Sequence, residues 1–185
     1  LPKMDRAGVG MNILALDQAR HGGWAVFDTN THKLIEYGAF NFDDKQYAFD
    51  EVLYQVVLLI HKLMCQYDCA ALFIEDIQMQ TNVQGFKRLA QLQGAILYYC
   101  AANEILVSTV TPSQWQNYCK ARGRTNKEIK SGVTTLAQPG KKQSKVLSLE
   151  YVRDTYGVGT TNDNVSDAIC IGTYVVNNIT LRTKG

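Results

Sequence analysis

Two rhythms run through the order of polar and apolar residues, and they divide the chain into short and long elements. "MNILALD", Met11 to Asp17, is apolar at nearly every position and closes on an acid, the pattern of a short strand covered on both faces. "GGWAVFDT" and "KLIEYGAFNF" follow at hairpin spacing with the turn signals "HGG" and "DTNTH" between them, so three consecutive antiparallel strands are expected. From about Asp44 to Tyr67 the rhythm changes. Phe49, Val52, Leu53, Val56, Ile60, Leu63 and Met64 recur at intervals of three and four, which predicts an amphipathic helix. "CAALFIED", Cys69 to Asp76, is a fourth buried strand ended by acids. A second helix is predicted from roughly Asn82 to Asn103, with Phe86, Leu89, Leu92, Ile96 and Tyr99 on one stripe and the small Ala90 and Gly94 permitting close approach. "EILVSTV" predicts a fifth strand. "TPSQWQNYCK" then opens a helix, for which Thr111 is a suitable cap and Pro112 a suitable first residue.

After Lys120 the pattern dissolves. "ARGRTNKEIKSGVTTLAQPGKKQSK" is polar, basic and rich in Gly, Ser and Thr, the composition of a mobile excursion rather than of packed core. Regularity returns with a helix near Ser144 to Tyr156. "GVGTT" breaks the chain before a last helix, about Asp163 to Asn177. The element order βββαβαβααα is that of a mixed sheet flanked by helices, an α/β layer architecture.

Composition alters this picture little. The chain has 185 residues and is 46% apolar, enough for one domain with a substantial core. No apolar run approaches the roughly 20 residues of a membrane span, so no membrane association and a cytoplasmic location are expected. Cys65, Cys69, Cys100, Cys119 and Cys170 are odd in number, contain no CxxC pair and fall in segments that read as buried, which predicts reduced structural thiols. The first ten residues, "LPKMDRAGVG", lack the regions of a signal peptide and read as an extension outside the fold, leaving 11–180 as one domain.

Charge changes the picture more. Between Lys120 and Lys145 stand eight basic residues (Lys120, Arg122, Arg124, Lys127, Lys130, Lys141, Lys142, Lys145) and one acid, Glu128. That segment is net +7 in a chain of net +2, which leaves −5 on the remainder. Such segregation marks a polyanion-binding surface on an acidic body, although a solvated basic loop has the same composition.

The acids are placed where packing alone does not require them. Asp17 ends the first strand, Glu75 ends the fourth, and Asp163 and Asp167 open the last helix within "TTNDNVSDAICIG". If the first and fourth strands are parallel neighbours, their carboxyl ends share the edge at which ligands bind in open sheets. A last helix reaching that edge would complete a cluster of carboxylates whose mutual repulsion hard divalent cations relieve. Two ions about 4 Å apart are a known device for attacking phosphodiesters. Each acid also has a plainer reading as a turn residue, a solvated side chain or, for Asp163, a helix cap.

"ILALDQARHGGWAVFD", "ALFIEDIQ", "RLAQLQGAI" and "VSDAICIG" resemble, in order and spacing, the RuvC-type Holliday junction resolvases of the RNase H-like superfamily, and especially the divergent resolvases of bacteriophages. The resemblance covers most of Met11 to Val176. Leu89, Ala90, Gln91 and Gly94 stand where the family has Leu-Gly-Gln-x-x-Gly. The resemblance implies an RNase H-like fold, with a five-stranded mixed sheet in the order 3-2-1-4-5 flanked by helices. It implies a metal-dependent endonuclease that resolves four-way junctions and other branched DNA by paired nicks, leaving 5′-phosphate and 3′-hydroxyl ends. It also implies a homodimer formed mainly through the second helix, where Ala90 and Gly94 permit close contact unless they only seat the helix on its own sheet.

Carried over by position, Asp17 is the bridging ligand, Glu75 the second and Asp167 the third ligand of a Mg²⁺ or Mn²⁺ site with two ions. Asp163 or Asn164 would be the fourth, because the family has an acid or His three residues before Asp167 and this chain has Asn164 there. Lys141, Lys142 and Lys145 correspond to basic residues near the active site, and Lys145 is a candidate to hold the scissile phosphate. Lys120, Arg122, Arg124, Lys127 and Lys130 would grip flanking duplex arms. The family's Pro-Gly after the first Asp is Gln18-Ala19 here. Its junction-wedging aromatic is Gln78, with Phe86 as a substitute further on. The competing readings are an RNase H acting on RNA–DNA hybrids and a catalytically inactive junction-binding module. An actin-like ATPase with a nucleotide cofactor needs two such halves, more than 185 residues supply.

Overall fold

The computed structural model describes residues 12–43, 45–79, 81–123 and 143–179. Strands β1 (Asn12–Asp17), β2 (His21–Asp28) and β3 (Leu34–Asn41) pair antiparallel, as the hairpin spacing predicts. Strands β4 (Cys69–Glu75) and β5 (Leu106–Val110) extend the other edge of β1 in parallel, giving one five-stranded sheet in the order β3-β2-β1-β4-β5. Helices α1 (Phe49–Gln66) and α2 (Val83–Ala102) cover one face. The other face carries α3 (Pro112–Tyr118), α4 (Gln143–Tyr156) and α5 (Asp163–Asn178).

Alternation along the strands assigns each side chain to a face. Leu14 and Leu16 of β1, Val26 of β2, and Leu72 and Ile74 of β4 pack under α1 and α2 with Val56, Ile60, Met64 and Ile96. Ile13 and Ala15, Ala25 and Phe27, and Ala71 and Phe73 pack under α5 with Ile169, Ile171 and Val175. Ile13, Leu14, Ala15 and Leu16 have no exposed surface, which is why the first strand reads as a continuous apolar run. By the same period of two, Asp17 and Glu75 belong to the α5 face.

Three sequence expectations need correction. Helix α1 starts at Phe49, later than Asp44, which itself lies outside the described residues. Asp43 heads a turn that takes the backbone N–H groups of Lys45, Gln46 and Tyr47, and the helix begins only where Glu51 accepts the Ala48 N–H at 2.7 Å. On α2, Leu92, Ile96, Tyr99 and Cys100 are buried, whereas Phe86 and Leu89 are half-buried. A Cβ on Gly94 would meet nothing within 4 Å among the described residues, so Gly94 does not seat the helix on its own sheet. Cys65 is exposed, while the other four cysteines are buried free thiols. Among the described residues no helix is long and apolar enough to cross a membrane.

Candidate active site

Asp17 is the last residue of β1 and Glu75 the last of β4, and the parallel pairing of Leu16 with Ile74 sets them side by side at one edge of the sheet. Helix α5 brings Asp167 to the same edge, because β2 is bare at the crossing point. Gly23 pairs with Asp17 across the β1–β2 ladder, and a Cβ built on it would stand 2.1 Å from the Asn164 carbonyl oxygen. Only glycine lets the start of α5 lie against the strand so closely. The contact is fastened by Asn164, whose side-chain amide donates to the His21 carbonyl at 3.1 Å. Asn162, rather than Asp163, caps the helix, and its side chain accepts the Asn164 N–H at 3.0 Å.

The three carboxyls are enclosed and feel one another. Burial, followed by the charges of Glu75 and Asp167, holds the proton affinity of Asp17 well above the usual carboxylate range. Burial likewise raises Glu75 and pushes Asp167 up to about 6. Lys145, near the start of α4, lowers all three, and its ammonium forms an ion pair with Asp163. Asp163 thus faces Lys145, and Asn164 is tied to β2. The remaining polar contacts organise the edge. Trp115 Nε1 donates to Glu75 Oε1 at 2.8 Å, and the Gln18 side-chain amide donates to the Glu75 carbonyl. The Ser148 and Ser166 hydroxyls lie 2.9 Å apart, with Ser148 beside Asp167, whose Oδ1 is buried without a hydrogen-bond partner among the described residues.

The chemistry of this donor set fits a divalent cation: three carboxylates with raised proton affinity, one of them with a buried oxygen that has no partner among the described residues. As the side chains stand, no three His, Cys, Asp or Glu residues among those described are close enough together to hold a metal ion. The enclosure has a consequence for stability. The native carboxyls bind protons more tightly than the unfolded chain, in which Asp167 titrates near 3.8. The metal-free protein therefore loses stability as pH rises from about 4 through about 6, and the raised Asp17 adds to that loss in the same direction. Thermal melts in chelator between pH 5 and pH 8 should show Tm falling with pH; a Tm that rises across this interval would refute the strained cluster.

The other predicted residues divide in two. Lys120 and Arg122 are exposed at the end of α3, and Gln78 is exposed in the loop after β4. Phe86 is half-buried on α2; the apolar side chain that the β4–α2 loop does present is Met79, which is 91% exposed. Arg124, Lys127, Lys130, Lys141 and Lys142 lie outside the described residues. Sequence reading assigned no role at the site to Trp115 or Gly23, and noted Gln18 only as a departure from the family pattern. A Trp three residues after Pro112, in the first turns of the helix that follows the fifth strand, is the available signal for the first.

The family model "Crossover junction endodeoxyribonuclease RuvC" matches residues 13–173. No curated protein matches the chain. Among solved structures, Thermus thermophilus RuvC in complex with a Holliday junction substrate superposes with a TM-score of 0.64 at 14% identity, covering 89% of this chain and 91% of that one. A second Thermus thermophilus RuvC structure gives 0.64 at 13% identity, over 89% and 92% of the two chains. The yeast mitochondrial Holliday junction resolvase gives 0.56 at 14% identity, over 89% and 77%. The sheet order, the carboxylates at the ends of β1 and β4, and a match over most of the length agree: the chain belongs to the RuvC family of crossover junction endodeoxyribonucleases.

Proposed function

We propose that this protein is a divalent-metal-dependent nuclease that resolves four-way DNA junctions by paired phosphodiester nicks, within one domain spanning residues 11–180. The convergence of Asp17, Glu75 and Asp167 at one sheet edge, in a chain of this family, carries the reading. Asp17, Glu75 and Asp167 would hold the ions, Mg²⁺ or Mn²⁺. When bound, these supply the positive charge that activates water and offsets charge developing on the phosphate.

The chain's own groups bind and orient the DNA. Lys145 adds a cation at the edge of the cluster, where a phosphate exchanges with Asp163 as its partner. Lys120 and Arg122, together with Arg124, Lys127, Lys130, Lys141 and Lys142, neutralise phosphates of the duplex arms without reading bases. Gln78 and Met79 lie on the loop that leaves the active edge and take the place of the aromatic wedge at the branch point. In-line attack of water leaves 5′-phosphate and 3′-hydroxyl ends. Paired nicks on a two-fold symmetric substrate call for a two-fold dimer. The open Gly94, with Leu97 and Tyr98 exposed beside it on α2, supports that helix as the shared surface. The departures at Gln18-Ala19, Gln78 and Asn164 support a place among the divergent bacteriophage resolvases.

The deciding experiment compares a mobile four-way junction, a linear duplex and an RNA–DNA hybrid in Mg²⁺. Symmetric nicks confined to the junction are expected. Cleavage of the hybrid in preference to the junction would move the protein to the RNase H reading, and binding without cleavage of any substrate would make it a junction-binding module.

A further inference from the structure

Helix α3 follows β5 directly, and the β4–β5 register pairs Glu75 with Val110, so the first turns of α3 lie beside the catalytic end of β4. Thr111 and Pro112 fix that start, with the Gln114 side chain accepting the Thr111 N–H at 2.8 Å. Trp115 is 1% exposed and packs in the α5-side core, yet its Nε1 reaches Glu75 Oε1 at 2.8 Å. A packing role needs only the ring; the indole N–H adds a donor aimed at a carboxylate that burial makes costly to ionise. Glu75 is also held from behind, since the buried Gln18 donates to its carbonyl. Both ends of the residue are therefore restrained.

We propose that Trp115 is a positioning residue: its indole N–H pins Oε1 of Glu75 and leaves Oε2 as the oxygen that Glu75 offers to the Asp17–Asp167 edge. This rests on the nuclease reading only for its catalytic consequence, because the effect on cation binding is measurable without DNA. A carboxylate with one oxygen fixed presents the other in a single orientation, so less ordering is needed when the cation arrives. Partners of this kind change metal affinity or activity by roughly 10- to 100-fold when removed.

The test is Trp115→Phe, which keeps an aromatic ring and removes the donor. Mn²⁺ titrated into the protein by calorimetry should bind about tenfold more weakly, and junction kcat should fall about tenfold with KM unchanged. In a Glu75→Gln background the same substitution should alter Mn²⁺ affinity less than twofold, since its route of action is gone. A folded Trp115→Phe with wild-type Mn²⁺ affinity overturns the proposal, as do equal losses in both backgrounds. A second measurement covers a variant that fails to fold. The chain has two tryptophans, so Trp24→Phe leaves Trp115 as the sole tryptophan, read apart from the tyrosines by red-edge excitation. Its fluorescence should change saturably with Mg²⁺ and lose that response on Glu75→Gln; an unresponsive Trp115 overturns the proposal. If the wild type binds Mn²⁺ through these residues but cuts no junction, the nuclease reading fails while the positioning role stands.

Discussion

Asp17→Asn should lower junction cleavage by at least about 10³-fold, because it removes a proposed metal ligand, the carboxylate on which the charges of both Glu75 and Asp167 bear, and several kcal/mol of charge stabilisation at the phosphate go with it. The same substitution should raise the Tm of the metal-free protein. Asp17 lies in a site where burial and the charges of Glu75 and Asp167 all oppose its ionisation, and a neutral amide of the same shape removes that opposition. The gain should be larger at pH 8 than at pH 5.5, since at the lower pH the wild-type cluster has already taken up protons. Junction affinity in Ca²⁺, measured by mobility shift, should persist because the basic residues proposed to hold the arms are untouched. A variant that melts lower than wild type in chelator at pH 8, or that cleaves normally, contradicts the assignment of Asp17.

Gly23→Ala should be among the most damaging single-methyl additions to the protein. Its Cβ would meet backbone, with Asn164 O at 2.1 Å, Asn164 C at 2.4 Å and Val165 N at 2.7 Å, so no side-chain rotation relieves the clash. The start of α5 must move away from β2, breaking the Asn164–His21 hydrogen bond and drawing Asp167 off the edge. Overpacking of this kind costs about 3 kcal/mol, which for a chain of this size lowers Tm by about 6–12 °C. Cleavage should fall further than the stability loss explains, by about 10²-fold at a temperature where the variant is fully folded. Differential scanning calorimetry with single-turnover kinetics separates the two effects. Gly159→Ala is the control: a Cβ there meets nothing within 4 Å among the described residues, and it should leave Tm within about 2 °C of wild type.

The strands, the helices and the three principal carboxylates were legible because each is announced by neighbouring residues. "MNILALD" and "CAALFIED" show buried strands ended by acids. Parallel alignment of the two then places Asp17 and Glu75 on one edge without further information. The start of α1 was less legible: Asp43 takes the backbone donors beside the position that the pattern favours, and the helix begins only at Phe49. At α5 the start at Asp163 was legible, but only the hydrogen bonds show that Asn162 is its cap. The α2 stripe was overdrawn for a related reason: periodicity identifies the apolar face, but how far along it the sheet extends is a property of the sheet.

What contiguous residues decide is therefore secondary structure, the face on which each strand residue lies, and the position of an acid at a strand end or in a first helical turn. Side-chain period and backbone capping act over one to four residues, and the chain carries that information openly. Contacts across the fold are another matter. Asn164 meets His21 at a separation of 143 positions, Trp115 meets Glu75 at 40, and Lys145 turns to Asp163 across the α4–α5 packing. No local pattern announces that Gly23 is bare so that α5 can cross it, or that a core tryptophan aims its one polar atom at a carboxylate. Tertiary packing decides these, because they depend on which surfaces the folded sheet and helices bring together.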